Sequence, residues 1–292
     1  MTSTITVGAA QFASVSGDTD ANLETHLHWI AEARAAGVDL LVCPELSLAG
    51  HYGAERLLDV AIRSTDPRLL AMADAAGPMT VVAGFVEEGP GAQFYNASAV
   101  LEGGRVAYLH RKINLPSYGR LMETKYYAQG RFVDVHPMPG AWRMGLLICA
   151  DLYNPALTHL AFLHGATMLV TPISSGTEAV GDLFDNPRSW RLTSEFYAMM
   201  YGAPVVMANR TGVEGDLTFW GGSRIVDPFG KVLVEAGAEP GLVTAVLDYA
   251  EVRMARALLP TVRDSNIALV SRETDRLLNS LGVPEFVREG DG

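Results

Sequence analysis

Apolar positions along this chain switch repeatedly between a period near two and a period near 3.6. Ile5 to Phe12 alternates apolar with small residues, as a strand does, and Leu23, Leu27, Ile30 and Ala33 then recur at helical spacing. Asp20 is placed to cap that helix and Gly37 to end it. Asp39 to Cys43 reads as a buried strand, Pro67 to Ala76 as a helix ended by Gly77, and Met79 to Phe85 as the next strand. Tyr95 to Leu101 and Val106 to Leu109 flank Glu102, Gly103 and Gly104, a turn with the glycines that positive backbone angles favour, so this pair is a predicted hairpin. Periodicity fails from Ile113 to Gly130, and a loop that long inside a domain is usually functional.

Beyond the loop the pattern predicts strand Trp142 to Ile148, a helix near Pro155 to Leu163, strand Thr167 to Thr171, a longer helix from about Pro187 to Tyr201, and strand Val205 to Ala208. Ser223 to Asp227, Lys231 to Glu235 and Val243 to Leu247 are three further strands, separated by Pro228, Gly230 and Gly237. The C-terminal portion reads as helix and tail. Strands this apolar must be covered on both faces, which calls for two sheets packed on each other with helices outside, an α/β architecture. No internal repeat or low-complexity linker divides the chain.

At 292 residues and 49% hydrophobic content the chain can bury a large core in one domain. A formal charge of -11 with no cluster of Lys and Arg argues against nucleic acid and anionic membranes as partners. Met1 to Phe12 lacks a basic segment and a continuous apolar run, and no stretch is long enough to cross a bilayer, so neither export nor membrane insertion is expected. Two cysteines, Cys43 and Cys149, cannot make a disulfide framework, and free thiols suit the cytoplasm.

Three side chains stand out chemically. Glu45 lies just past the strand ending in Cys43, where the carboxyl end of a strand in an α/β sheet faces a ligand crevice; Lys112 follows the hairpin. Taken singly, one is a solvated turn carboxylate and the other a strand-end lysine. Cys149 ends an apolar run from Met144 to Ile148 and is followed by Ala150, Asp151 and an incipient helix, a corner that presents a side chain together with bare backbone amides. Together the three make a cysteine-hydrolase kit: a nucleophile, a base to take its proton, and a cation for the oxyanion. The lysine favours the thiolate while the glutamate opposes it, so their sum depends on geometry. Cys43 is read as packing.

These motifs fall in the order and context of the nitrilase superfamily of carbon-nitrogen hydrolases, which the chain resembles over nearly its whole length. They are Cys-Pro-Glu-Leu-Ser-Leu-Ala-Gly from Cys43 to Gly50, His-Arg-Lys-Ile-Asn-Leu-Pro from His110 to Pro116, and Leu-Leu-Ile-Cys-Ala-Asp-Leu-Tyr-Asn-Pro from Leu146 to Pro155. Asn209 to Gly212 and Gly221 to Gly230 also look like the family's downstream pattern. The segment from Asn114 to Gly119 through Glu123, Tyr126, Tyr127 and Gly130, with Phe219 to Ser223, is similar to the glutaminase domain of glutamine-dependent NAD synthetase, and without that enzyme's ATP-binding domain the chain is expected to act alone or with a separate partner. Two departures stand out: His51 intervenes between Gly50 and Tyr52 where the family often has Gly-Tyr, and Ala150 and Asp151 replace the Trp-Glu of nitrilases proper, as in the amidase and carbamoylase branches.

The resemblance implies a four-layer α-β-β-α sandwich over 1–270, followed by a C-terminal helix and tail over 271–292. It implies hydrolysis of a linear amide or N-carbamoyl compound with Glu45 as base, Cys149 as nucleophile, Lys112 and the Ala150 amide on the oxyanion, and Glu123 where many members carry a second glutamate. Tyr118, Ala150 and Tyr153 are expected at the substrate, and no cofactor or metal is required. Alternative activities are a glutaminase subunit feeding ammonia to a separate ligase, and hydrolysis of nitriles; a non-catalytic scaffold would not need the three groups together. Members usually pair through helices like the one after Pro187, so a homodimer or larger homo-oligomer is expected.

Other constellations are poor. The seven histidines have no zinc-like spacing and read as surface or core residues. Ser174 and Ser175 beside Gly176 read as a loop rather than a serine amidase site, and Gly222 to Lys231 lacks phosphate-loop spacing. Met199, Met200 and Met207 lie in apolar runs and read as core filler; Trp190, Phe196 and Tyr197 either pack inside or cover an oligomer surface.

Overall fold

Because successive side chains of a strand point to opposite faces, each apolar strand here feeds two different layers. The computed structural model describes residues 4–281. In chain order its first half contains β1 (Thr4–Gln11), α1 (Thr19–Ala35), β2 (Leu40–Val42), α2 (Leu57–Val60), α3 (Pro67–Ala76), β3 (Thr80–Glu88), β4 (Phe94–Glu102) and β5 (Arg105–Arg111). The second half begins with β6 (Val135–Pro137), β7 (Arg143–Leu146), α4 (Pro155–Leu163), β8 (Met168–Pro172), α5 (Asn186–Tyr201) and β9 (Val205–Ala208). It continues with β10 (Thr211–Glu214), β11 (Leu217–Trp220), β12 (Arg224–Val226), β13 (Val232–Glu235), β14 (Gly241–Asp248), α6 (Tyr249–Leu258) and α7 (Ile267–Ser280).

Two six-stranded sheets form, in the orders β14-β1-β2-β3-β4-β5 and β13-β12-β9-β8-β7-β6. Between them lies an apolar layer that takes Val7, Leu40, Val42, Val82, Met144, Leu146, Val170 and Val206. The alternate residues Leu41, Cys43, Val81, Ala83 and Phe85 turn outward onto Ile30 and Ala33 of α1 and Leu69, Met72 and Ala73 of α3. On the other side, Leu169, Val205 and Met207 face Phe162 of α4 and Trp190, Tyr197 and Ala198 of α5. The result is the expected α-β-β-α sandwich, and Cys43 is core packing.

The turn of the β4–β5 hairpin has Gly103 at φ 58° and Gly104 at φ 72°, angles that side chains resist. Asp20 is not the cap of α1: the helix starts earlier, Asp18 accepts from the Ala21 N–H at 3.0 Å, and Asp20 instead pairs with Arg68 across to α3 at 2.8 Å. Strands β6, β10 and β11 were not expected; each has three or four residues with polar or glycine positions, too short to show a period. Met207 and Tyr197 are buried as core, but Met199 is 48% exposed, in line with Phe196 and Leu192 on the outer face of α5. The boundary expected at residue 270 falls inside α7, which buries none of its residues, and residues 282–292 of the expected tail lie outside the described residues. No helix among the described residues is long and apolar enough to cross a membrane.

Candidate active site

In the first sheet β1, β2 and β3 run parallel, and in the second β7, β8 and β9 do. Their carboxyl ends release Glu45 after β2, Cys149 after β7 and Ser174 after β8; β5, antiparallel to β4, leaves Lys112 at the same end. The four segments meet where the two sheets open. The Glu45 N–H donates to the Ile173 carbonyl at 3.3 Å, joining one sheet's loop to the other's.

Lys112 is buried and its Nζ donates to Glu45 Oε1 at 2.6 Å and to Glu123 Oε1 at 2.7 Å. Asn96 Nδ2 donates to the same Glu45 oxygen at 2.8 Å, while Oε2 accepts from the Ser174 N–H at 2.8 Å. Ser174 and Cys149 line the same cavity. Glu45, Lys112, Glu123 and Cys149 are thus one cluster. Tyr118, Ala150 and Tyr153 line the narrow cavity into which Cys149 opens, so all seven residues singled out in the sequence converge here. Tyr153 is held by a hydrogen bond from its hydroxyl to Asn186 Oδ1 at 3.3 Å and by its ring against Trp190, 4.6 Å between centroids.

Cys149 begins a short 3-10 turn, Cys149–Tyr153, and stands at φ 47°; Leu46, beside Glu45, stands at φ 53°. Both are in the left-handed region, which costs a non-glycine residue about 1 kcal/mol or more and persists where the surroundings fix it. Asp151 does much of that fixing. Its Oδ1 accepts from the Ile113 and Asn114 N–H groups at 2.9 and 2.7 Å, and its Oδ2 accepts from the Ile148 N–H at 3.0 Å and lies 3.0 Å from His110 Nε2.

The charges sort themselves through burial. Desolvation pushes the Glu45 carboxyl up, but the Lys112 ammonium outweighs it and holds Glu45 below the ordinary carboxylate range. Glu123, desolvated as well and facing the Glu45 charge, is pushed up to about 7 despite Lys112. Lys112 is disfavoured by burial yet raised well above its usual value by Glu123 and Glu45. Burial and then the Glu45 charge push the Cys149 thiol well up against the pull of Lys112.

Two contributors were missed in the sequence, and a third, His51, stood out there only as a departure from the family's pattern at one pocket wall. Asn96 is a buried polar residue within the apolar strand β4, and that interruption was its only signal. Ser174, read as loop, acts through its backbone N–H, which no side-chain motif can reveal. His51 is not a bystander histidine: it lines the Cys149 cavity, with Nδ1 3.0 Å from Ser174 Oγ. Among the described residues no three His, Cys, Asp or Glu side chains are grouped to hold a metal ion.

A buried thiol, two carboxylates and an ammonium meet at one end of a two-sheet sandwich. The chain belongs to the carbon-nitrogen hydrolase family, whose defining pattern matches residues 6–257, and it is an amidohydrolase of the nitrilase superfamily. It is 34% identical to an (R)-stereoselective amidase from Pseudomonas sp., over 91% of this chain and 93% of that one. It is 30% identical to the glutamine-dependent NAD(+) synthetase of Thermotoga maritima over 84% of this chain, but spans only 42% of that protein. Its fold superposes on an amidase of Nesterenkonia sp. AN1 solved in complex with acrylamide, with a TM-score of 0.79 and 24% identity over 93% of this chain and 97% of that one.

Proposed function

We propose that this protein hydrolyses a linear amide or N-carbamoyl compound through a thioester on Cys149. The observation that carries the reading is the environment of one carboxylate: Glu45 is fixed by Lys112, Asn96 and the Ser174 N–H while it faces the Cys149 thiol. As Sγ bonds to the carbonyl carbon, the thiol proton passes to Glu45 and the carbonyl oxygen takes up negative charge, stabilised by the Lys112 ammonium and the Ala150 amide. The carbon-nitrogen bond then breaks, Glu45 returns the proton to the departing nitrogen, and ammonia leaves. Water gives a proton to Glu45 and adds to the thioester; the sulfur departs, recovers the proton, and the acid is released. A carbamoyl substrate releases carbon dioxide as well. Glu123 orients Lys112, and Tyr118 and Tyr153 contact the substrate.

The share of sequence held in common with the NAD(+) synthetase supports a second reading, glutamine hydrolysis supplying ammonia to a separate ligase. Nitriles are the third substrate class, weakened by Ala150 and Asp151 after the cysteine. The exposed Leu192, Phe196 and Met199 on α5 support a homodimer or larger homo-oligomer paired through that helix, and two buried free thiols support a cytoplasmic location. Residues 1–270 then make up the hydrolase domain, with the remainder of α7 and the tail following. The test is incubation with amides, N-carbamoyl amines, glutamine and nitriles, reading ammonia release alongside intact mass for the acyl adduct. The expected result is an adduct with an amide or carbamoyl compound that Cys149→Ala abolishes without loss of fold; steady-state turnover by that variant overturns the mechanism.

A further inference from the structure

The narrow cavity of Cys149 does not end at a thick wall. A second, outer cavity lies beside it, lined by Leu46, Ala54, Tyr126 and Tyr127, with Glu55 and Arg120 also on its surface. Three residues line both: His51, Leu121 and Glu123. Glu123 is tied to Lys112 and belongs to the reacting cluster. His51 and Leu121 are therefore the two side chains that separate the cavities without serving the chemistry.

His51 is held firmly. Gly50, at φ 85°, turns the chain, and the His51 and Tyr52 N–H groups donate to the two oxygens of Glu214 at 3.1 and 2.8 Å. Glu214 is paired with buried Arg210 at 2.5 Å, whose guanidinium lies 4.3 Å over the ring of Phe219. Phe219 in turn packs edge-on against the His51 ring, 5.3 Å between centroids, and Leu121 joins the same cluster with Tyr52, Ala179 and Leu217. Burial, with Arg210 adding to it, pushes the imidazole down to about 4, so this partition is neutral at neutral pH and offers no charge to a substrate.

We propose that His51 and Leu121 set the length of acyl group that this enzyme accepts, confining the amide at Cys149 to short chains, and that shrinking either residue lets the apolar tail of a longer unbranched amide enter the outer cavity. This rests on the amide reading above. One methylene refused or accepted by an apolar pocket changes kcat/KM by about tenfold or more, so the effect is measurable within each protein as a ratio between substrates.

The experiment measures kcat/KM for propionamide, butyramide and hexanamide with the wild type, His51→Asn and Leu121→Ala. Asparagine can place a polar atom where Nδ1 bonds Ser174 while removing the far side of the ring; alanine at 121 tests the same wall without touching that hydrogen bond. The wild type should favour propionamide over hexanamide by about tenfold or more, and each folded variant should raise the hexanamide to propionamide ratio by about tenfold. Ratios unchanged in both variants, or in Leu121→Ala alone should His51→Asn fail to fold, overturn the proposal, as does a wild type that takes hexanamide as readily as propionamide. If no amide forms an acyl adduct, the amide reading fails and this proposal with it; an adduct with an unchanged ratio overturns the length gate alone.

Discussion

Asp151 and His110, both buried and 3.0 Å apart, tie the segment that carries Cys149 to the segment that carries Lys112. The other three hydrogen bonds of the Asp151 carboxylate come from the residue before the cysteine and the two after the lysine. In Asp151→Asn one oxygen becomes an NH2 facing groups that themselves donate, and a buried donor left unpaired costs about 1–3 kcal/mol. Lower stability is expected, together with a fall in kcat larger than any rise in KM, and slower alkylation of Cys149 by iodoacetamide. Wild-type alkylation and turnover in a folded Asp151→Asn would show that Asp151 does not position the nucleophile.

Lys112 is the only cation in contact with both Glu45 and Glu123 among the described residues. Lys112→Met keeps the length of the side chain but leaves two buried carboxylates facing each other, and breaking a buried pair in this way costs about 3–5 kcal/mol. Without the ammonium both carboxyl groups titrate higher, so acid protonates them and relieves the repulsion. The penalty in urea unfolding should be large at neutral pH and shrink toward pH 5, with no turnover at either; a penalty independent of pH would mean that the carboxylates are not held against each other.

Much of this arrangement was legible in the sequence because it is local. Strand alternation, the glycines at 103 and 104, and Pro67 with Gly77 around α3 are signals a few residues wide, and the motifs around Glu45, Lys112 and Cys149 resemble a family whose fold they imply. What was not legible is non-local or carried by backbone. The Ser174 N–H reaches Glu45 across 129 residues of chain. Asn96 announces itself only once its strand's inward face is known, and His51 acquires meaning from Phe219 and Glu214, far along the chain. The start of α1 went to Asp18 rather than Asp20 because two aspartates two residues apart carry the same capping signal and only backbone geometry separates them.

Gly84 lies under the Glu45 turn. A methyl group there would meet the Leu46 nitrogen at 2.5 Å, the Pro44 oxygen at 2.6 Å and the Glu45 carbonyl carbon at 2.9 Å, all backbone atoms that cannot rotate away. Gly84→Ala should therefore push the base off its position, lowering kcat by about a hundredfold for a displacement near an ångström and stability by about 1–3 kcal/mol. Gly241→Ala is the matched control, since a methyl group there meets nothing within 4 Å. Equal activities of the two variants, measured by ammonia release, would show that the Glu45 turn adapts.

Glu123 gives the fold a pH dependence of definite sign. Its carboxyl sits at about 7 in the folded protein, raised by burial from an ordinary 4.5. Between those values the native state holds a proton that the unfolded chain has already released, so this group's contribution to stability falls as pH rises through the window. Glu45, held low by Lys112, works the other way, losing its contribution only in acid below the ordinary carboxylate range. Glu123→Gln removes the first titration and leaves the second. The unfolding free energy of the wild type minus that of Glu123→Gln should therefore drop by on the order of 2 kcal/mol between about pH 5 and pH 8. Urea unfolding of both proteins across that range reads it directly, and a difference that stays constant would mean that Glu123 is ionised in the native state throughout.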